Sequence, residues 1–110
     1  MKPVDFHDST AKTIRTFPKE IRLTLGKALY VLQAGKRLQM PLSRIMPQVG
    51  SGVEEIRLKD AAGIYRVFYL AKIDDCIYVF HAFKKKTEKT PKKEIELGKK
   101  RLKEWLNAKK

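Results

Sequence analysis

The sequence predicts an α+β fold, an antiparallel sheet of about four strands with two N-terminal helices and a C-terminal helix. Three observations carry that expectation. Apolar residues recur at helical spacing from Ile21 to Leu32 and again from Ile95 to Leu106. Three consecutive strand-like runs, separated by short polar turns, fill the middle of the chain. A content of 43% hydrophobic and 34% charged residues in 110 is the balance of one globular domain with one core, so residues 1–110 read as a single domain.

Taken in order, Val4 and Phe6 alternate with Asp5 and His7, as in a short edge strand. Asp8 or Ser9 is then expected to cap a short helix carrying Ala11 and Ile14. Pro18 suits the first turn of a second helix, along which Ile21, Leu25, Ala28, Leu29 and Leu32 share a face before Gly35 ends it. From Lys36 to Ser51, Pro41 and Pro47 argue against regular structure and leave an ordered loop, anchored by Leu38, Leu42, Ile45 and Met46. Strands follow at Val53–Lys59, Ile64–Ile73 and Cys76–Lys85, with turns at Asp60-Ala61-Ala62-Gly63 and Asp74-Asp75 short enough for an antiparallel meander. Thr90-Pro91 starts the last helix, Glu94 complements its dipole, and Ile95, Leu102, Trp105 and Leu106 fall on one side.

Charge narrows the partners. With 25 Lys and Arg against 12 Asp and Glu the chain carries +13, split as +6 over residues 1–50, −1 over 51–83 and +8 over 84–110. Such a field favours a polyanion, because neutralising phosphates releases condensed counterions, and nucleic acid leads that class. A membrane surface is disfavoured: no stretch pairs a broad apolar face with enough length. The most apolar run, Ile64–Ile73, is broken by Arg66 and Lys72 and is about half the roughly 20 residues a spanning helix needs. Asp5, His7 and Asp8 stand where a secretory segment would be apolar, and Cys76 is the sole cysteine, so a reducing, cytoplasmic location is expected, without disulfide or cysteine-based zinc site.

Strand register deduces a site. If Asp60 to Gly63 forms the first turn, Arg57 lies directly opposite Arg66, an unfavourable pairing unless a negative group sits nearby. A phosphate would meet that need, and Glu55 might be replaced in that role by nothing else on the strand; it can meet the need internally. A two-residue turn at Asp74-Asp75 pairs Phe68 with His81 and Arg66 with Phe83, which gathers Arg57, Arg66, His81 and Lys85 on one face; a slip of one residue substitutes Lys84 and Lys86 for Lys85. These groups suit RNA cleavage, in which a 2′-hydroxyl attacks the adjacent phosphate: arginine forks hold phosphate, and His81 or a lysine with a lowered pKa exchanges protons. Each also has a structural reading. Arg66 pairs with a carboxylate, His81 is a hydrogen-bonded semi-buried histidine, Lys84-Lys85-Lys86 is a solvated strand end, and His7 is structural or exposed. Tyr65, Tyr69, Tyr78 and Phe80 read as core of a two-faced sheet.

The stretches Val53-Glu54-Glu55-Ile56-Arg57, Ile64-Tyr65-Arg66-Val67-Phe68-Tyr69, Ile77 through Thr87 and Lys89-Thr90-Pro91, with Phe17-Pro18 before a helix ending at Gly35, resemble the HigB-like branch of the RelE toxin superfamily across nearly the whole chain. That resemblance implies a RelE-like fold and a ribosome-dependent endonuclease acting on translated mRNA without a metal ion or other cofactor. It implies as partners the ribosome and its mRNA, and a cognate antitoxin with a helix-turn-helix domain. Carried over by position, the functional basic residues are Arg57, Arg66, Lys84 and Lys85. The C-terminal tyrosine used by some RelE-type toxins has no counterpart after Tyr78, and relatives that poison DNA gyrase share the fold. A toxin acting on such a protein target and a non-catalytic nucleic-acid-binding protein are therefore the competing functions.

Overall fold

The computed structural model describes residues 1–73 and 76–108. Among them the elements run β1 (Val4–Phe6), α1 (Asp8–Arg15), α2 (Lys19–Gln33), β2 (Ser43–Ile45), β3 (Val53–Asp60), β4 (Gly63–Ile73), β5 (Cys76–Lys85) and α3 (Lys92–Ala108). The turn expected at Asp74-Asp75 lies outside the described residues.

The strands form one sheet in the order β1-β5-β4-β3-β2. It differs from expectation in two ways. First, β1 runs parallel to β5, with Val4 opposite Ile77 and Phe6 opposite Val79, so the sheet is mixed. Second, the segment read as a loop contributes a fifth strand: Ser43, Arg44 and Ile45 pair with Ile56, Glu55 and Glu54 at the edge of β3. Pro41 and Pro47 bracket this strand without interrupting it, and an edge tolerates that because its outer side needs no donors. Ser43 is pinned by its hydroxyl, 3.0 Å from the Tyr69 hydroxyl and 3.2 Å from Glu54 Oε1.

The cap of α1 is also displaced by one residue. His7, not Asp8 or Ser9, holds the extended cap position (φ −62°, ψ 134°), and its side chain accepts the Ser9 N–H. Gly35 closes α2 as expected, at φ 85°, a left-handed conformation that glycine takes without a Cβ penalty.

Each sheet face buries its own apolar set. Ile21, Leu25, Leu29 and Leu32 of α2, with Ile14 of α1, pack on Ile56, Leu58, Val67, Tyr69, Ile77 and Val79. On the other face Leu102, Ile95, Trp105 and Leu106 of α3 pack on Phe68, Leu70, Tyr78, Phe80 and Phe83. The tyrosines read as core are buried accordingly. Close contact with α3 depends on Gly98: a Cβ there would come within 2.8 Å of Phe68 Cδ2. The far end of α3 is fastened by Trp105, whose ring stacks 4.2 Å from that of Tyr78 and whose indole N–H donates to Asp5 of β1. No helix among the described residues is long and apolar enough to cross a membrane.

Register decides what this second face presents. The first hairpin pairs Arg57 with Arg66 and Lys59 with Ile64, as the turn length predicts. In the second, Ile64 faces Lys85, Arg66 faces Phe83 and Phe68 faces His81, but Tyr69 then faces Val79 and Leu70 faces Tyr78, a slip of one. Phe80 is the extra residue. Because a bulge interrupts alternation, Tyr78 and Phe80 lie on the α3 face, yet so do His81, Phe83 and Lys85.

Candidate functional site

Alternation along β3, β4 and β5 builds three cross-strand rows on the α3 face: Arg44, Glu55, Phe68 and His81; then Arg57, Arg66 and Phe83; then Lys59, Ile64 and Lys85. Helix α3 covers the first row at its Phe68 end. The second and third are left to the loop that joins β5 to α3. The hairpin that sets these rows is closed by Asp60, whose Oδ1 accepts from the N–H groups of Ala62 and Gly63 at 2.9 and 3.1 Å.

Arg66 is buried, with 3% of its surface exposed, and Arg57 is partly buried beside it. Between them Glu55 is equally enclosed: its Oε1 lies 3.4 Å from Arg66 Nε and 3.9 Å from Arg57 Nε, and its Oε2 accepts a hydrogen bond from the Thr90 hydroxyl at 3.0 Å. The charges attract, but neither arginine Nε–H, both buried, makes a hydrogen bond. Buried donors are ordinarily satisfied, so two adjacent orphans of this kind describe a site prepared for an acceptor. Burial draws the Arg66 guanidinium below its ordinary value, Glu55 opposing and Arg57 adding to the shift.

Lys85 completes the positive cluster from β5. Its ammonium donates to the Glu88 carbonyl at 2.6 Å and the Thr90 hydroxyl at 3.4 Å, and its pKa is lowered by burial first and by Arg66 next. Glu88 overhangs the arginines, its Oε2 3.6 Å from Nη2 of each. Two clefts open here. One of about 420 Å³ is lined by Pro41, Leu42, Arg57, Lys59, Arg66 and Glu88, and one of about 190 Å³ by Arg44, Glu55, Arg57, Glu88, Lys89 and Thr90. Among the described residues no three His, Cys, Asp or Glu side chains converge as metal ligands.

Of the residues singled out in the sequence, the structure therefore brings together Arg57, Arg66 and Lys85. It places His81 apart, beneath α3 and between Phe68 and Phe83, lining neither cleft. Both ring nitrogens are engaged, Nε2 with Glu94 Oε1 at 2.8 Å and Nδ1 with Arg101 Nη1 at 2.9 Å. Since Arg101 can only donate, Nδ1 accepts and Nε2–H donates to Glu94, which fixes a neutral tautomer. Lys84 points to the opposite face, its ammonium 5.6 Å from the centre of the Tyr65 ring. The two lysines joined by resemblance are thus separated by strand alternation. Arg44, Glu88 and Thr90 join the site without having been singled out as site residues. Glu88 did leave a signal, as the one acid between Lys84 and Lys89.

The family model described as Phage derived protein Gp49-like (DUF891) matches residues 12–103. No curated protein matches the chain. Among solved structures, the isolated E. coli RelE toxin is similar at a TM-score of 0.56, with 21% identity over 80% of this chain and 89% of that one. The intact E. coli RelBE toxin–antitoxin complex also matches, at a TM-score of 0.46 and 22% identity over 81% of this chain and 100% of that one. The likeness to isolated RelE bears out the expected fold: two N-terminal helices, a sheet, here mixed and five-stranded, and a C-terminal helix.

Proposed function

We infer, for a chain that belongs to the Gp49-like family of phage-derived proteins and has the RelE fold, that it is the toxin of a toxin–antitoxin pair and cuts mRNA on the ribosome without a metal ion. The observation that carries this reading is the Arg57–Arg66 pair, two adjacent guanidinium groups with buried, unpartnered Nε–H donors beside an open cleft. A bridging phosphodiester fits such a seat in charge and in donor geometry.

In the reaction proposed, the 2′-oxygen attacks phosphorus as its proton leaves, the bond from phosphorus to the 5′-oxygen breaks, and the products are a 2′,3′-cyclic phosphate and a 5′-hydroxyl. Arg57 and Arg66 hold the phosphate and take up the negative charge that grows on its free oxygens, a contribution on the order of 10²–10³ in rate per preorganised donor. Lys85, drawn down by burial and by Arg66, is assigned to protonating the departing 5′-oxygen. His81 and Lys84 take no part in the step.

The same basic face gives the antitoxin its mode of binding: an acidic, partly disordered segment that folds across it and hides the arginines. From the family resemblance, that antitoxin carries a helix-turn-helix domain and the pair acts in the cytoplasm. A neighbouring reading frame without a small antitoxin-like protein would count against this pairing.

End-mapping of an mRNA on translating ribosomes, with ribosome-free RNA alongside, tests the activity. Cuts within codons that need the ribosome are expected. Intact mRNA despite growth arrest on expression would instead indicate a protein target such as DNA gyrase, and tight, salt-sensitive RNA binding without product would indicate a non-catalytic binder.

A further inference from the structure

Glu88 stands among Lys84, Lys85, Lys86 and Lys89, and 74% of its side chain is exposed. Its carboxylate is nevertheless shared between Arg57 and Arg66, 3.6 Å from Nη2 of each. The site's own floor holds the loop in that position. Lys85 grips the Glu88 carbonyl at 2.6 Å, and two residues on Thr90 donates to the buried Glu55 at 3.0 Å. A carboxylate and a phosphodiester present the same thing to a guanidinium fork, two oxygens sharing one negative charge. Glu88 is an imperfect occupant, however: 3.6 Å is an ion pair without a hydrogen bond, and both Nε–H groups stay unsatisfied beneath it.

We propose that Glu88 is a built-in competitor anion, seated on Arg57 and Arg66 while the site is empty and displaced into solvent when a phosphate enters. It thereby sets the affinity of the site for phosphate and keeps adventitious anions off the arginines. This deepens the endonuclease reading and rests on it only for the identity of the displacing anion, an RNA phosphodiester.

The test is calorimetric titration of the full chain with inorganic phosphate, comparing wild type, E88Q and E20Q. Glu20 is exposed on α2, so E20Q removes the same charge far from the seat. E88Q is expected to bind phosphate roughly three- to tenfold more tightly than wild type, the range for releasing two exposed ion pairs, while E20Q stays within about twofold. Equal affinities of E88Q and E20Q, or weaker binding by E88Q, would overturn the proposal. Adding R66K to E88Q is expected to abolish the gain, and a gain that survives R66K would place the anion elsewhere and overturn it too. The same preparations assayed on ribosome-bound mRNA separate the two readings: tighter phosphate binding by E88Q with no cleavage by any of them leaves the competitor anion and removes the endonuclease. Cleavage by wild type with no gain in E88Q does the reverse.

Discussion

Two guanidinium groups on facing strands repel, and what holds Arg57 and Arg66 together is the carboxylate of Glu55, 2% exposed and within 3.4 and 3.9 Å of them. Neutralising a partner in a buried ion pair leaves its charge uncompensated. Glu55→Gln is accordingly expected to lower stability by on the order of 3 kcal/mol, read as a shift of the urea midpoint. Inorganic phosphate should restore part of that loss in the variant and less in wild type, because an anion bound to the folded state stabilises it by mass action. No recovery with phosphate would mean that the pair does not bind one. These residues were legible in the sequence for a definite reason: a short turn fixes register, register fixes facing pairs, and strand alternation then put Glu55 beside both arginines. Glu88 and Thr90 lie in a loop, where no period relates position to direction. Arg44 was hidden because its strand was read as a loop between prolines.

Helix α3 is seated by two contacts that can be broken separately. Gly98→Val would drive a branched side chain into Phe68, where even a Cβ comes within 2.8 Å, and should cost roughly 1–3 kcal/mol in a denaturant titration. His81 makes the seat sensitive to acid. Burial chiefly, with Arg101 and His7 adding and Glu94 opposing, holds its pKa below 6.5 in the folded chain. The unfolded chain therefore takes up a proton that the folded chain refuses, so stability present above pH 6.5 is lost as pH falls through and below that value. Thermal unfolding from about pH 7.5 to about pH 5.5 should show the wild-type midpoint dropping more steeply than that of His81→Gln, and parallel curves would remove His81 from this role. Helical spacing made α2 and α3 readable, and turn length made both hairpins readable at their site ends. The bulge at Phe80 was not, since every residue from Ile77 to Phe83 is buried and a continuously apolar strand carries no alternation from which a slip shows.

At the scale of the molecule, a charge of +13 draws the protein to RNA, and the rows on the α3 face decide what it does there. The two contributions separate with salt: RNA affinity should fall about 10²-fold between roughly 50 and 200 mM salt, as expected for a handful of phosphate contacts, and an affinity indifferent to salt would deny that contribution. The α+β class was legible because the helical and strand-like periods are cleanly partitioned along the chain. The parallel placement of β1 was not, because a three-residue strand carries no mark of its neighbour. The claim on which the account turns is that phosphate is handled at Arg57 and Arg66 and not beneath α3. It is tested most directly by single-turnover cleavage of mRNA on programmed ribosomes with wild type, R66K and H81Q. Lysine keeps the charge of Arg66 but loses the fork, so R66K should cut on the order of 10²-fold more slowly or worse, while H81Q cuts at close to the wild-type rate. An R66K protein that cuts at the wild-type rate, beside an H81Q protein that folds and does not cut, would contradict the account and move the chemistry to the His81 cluster.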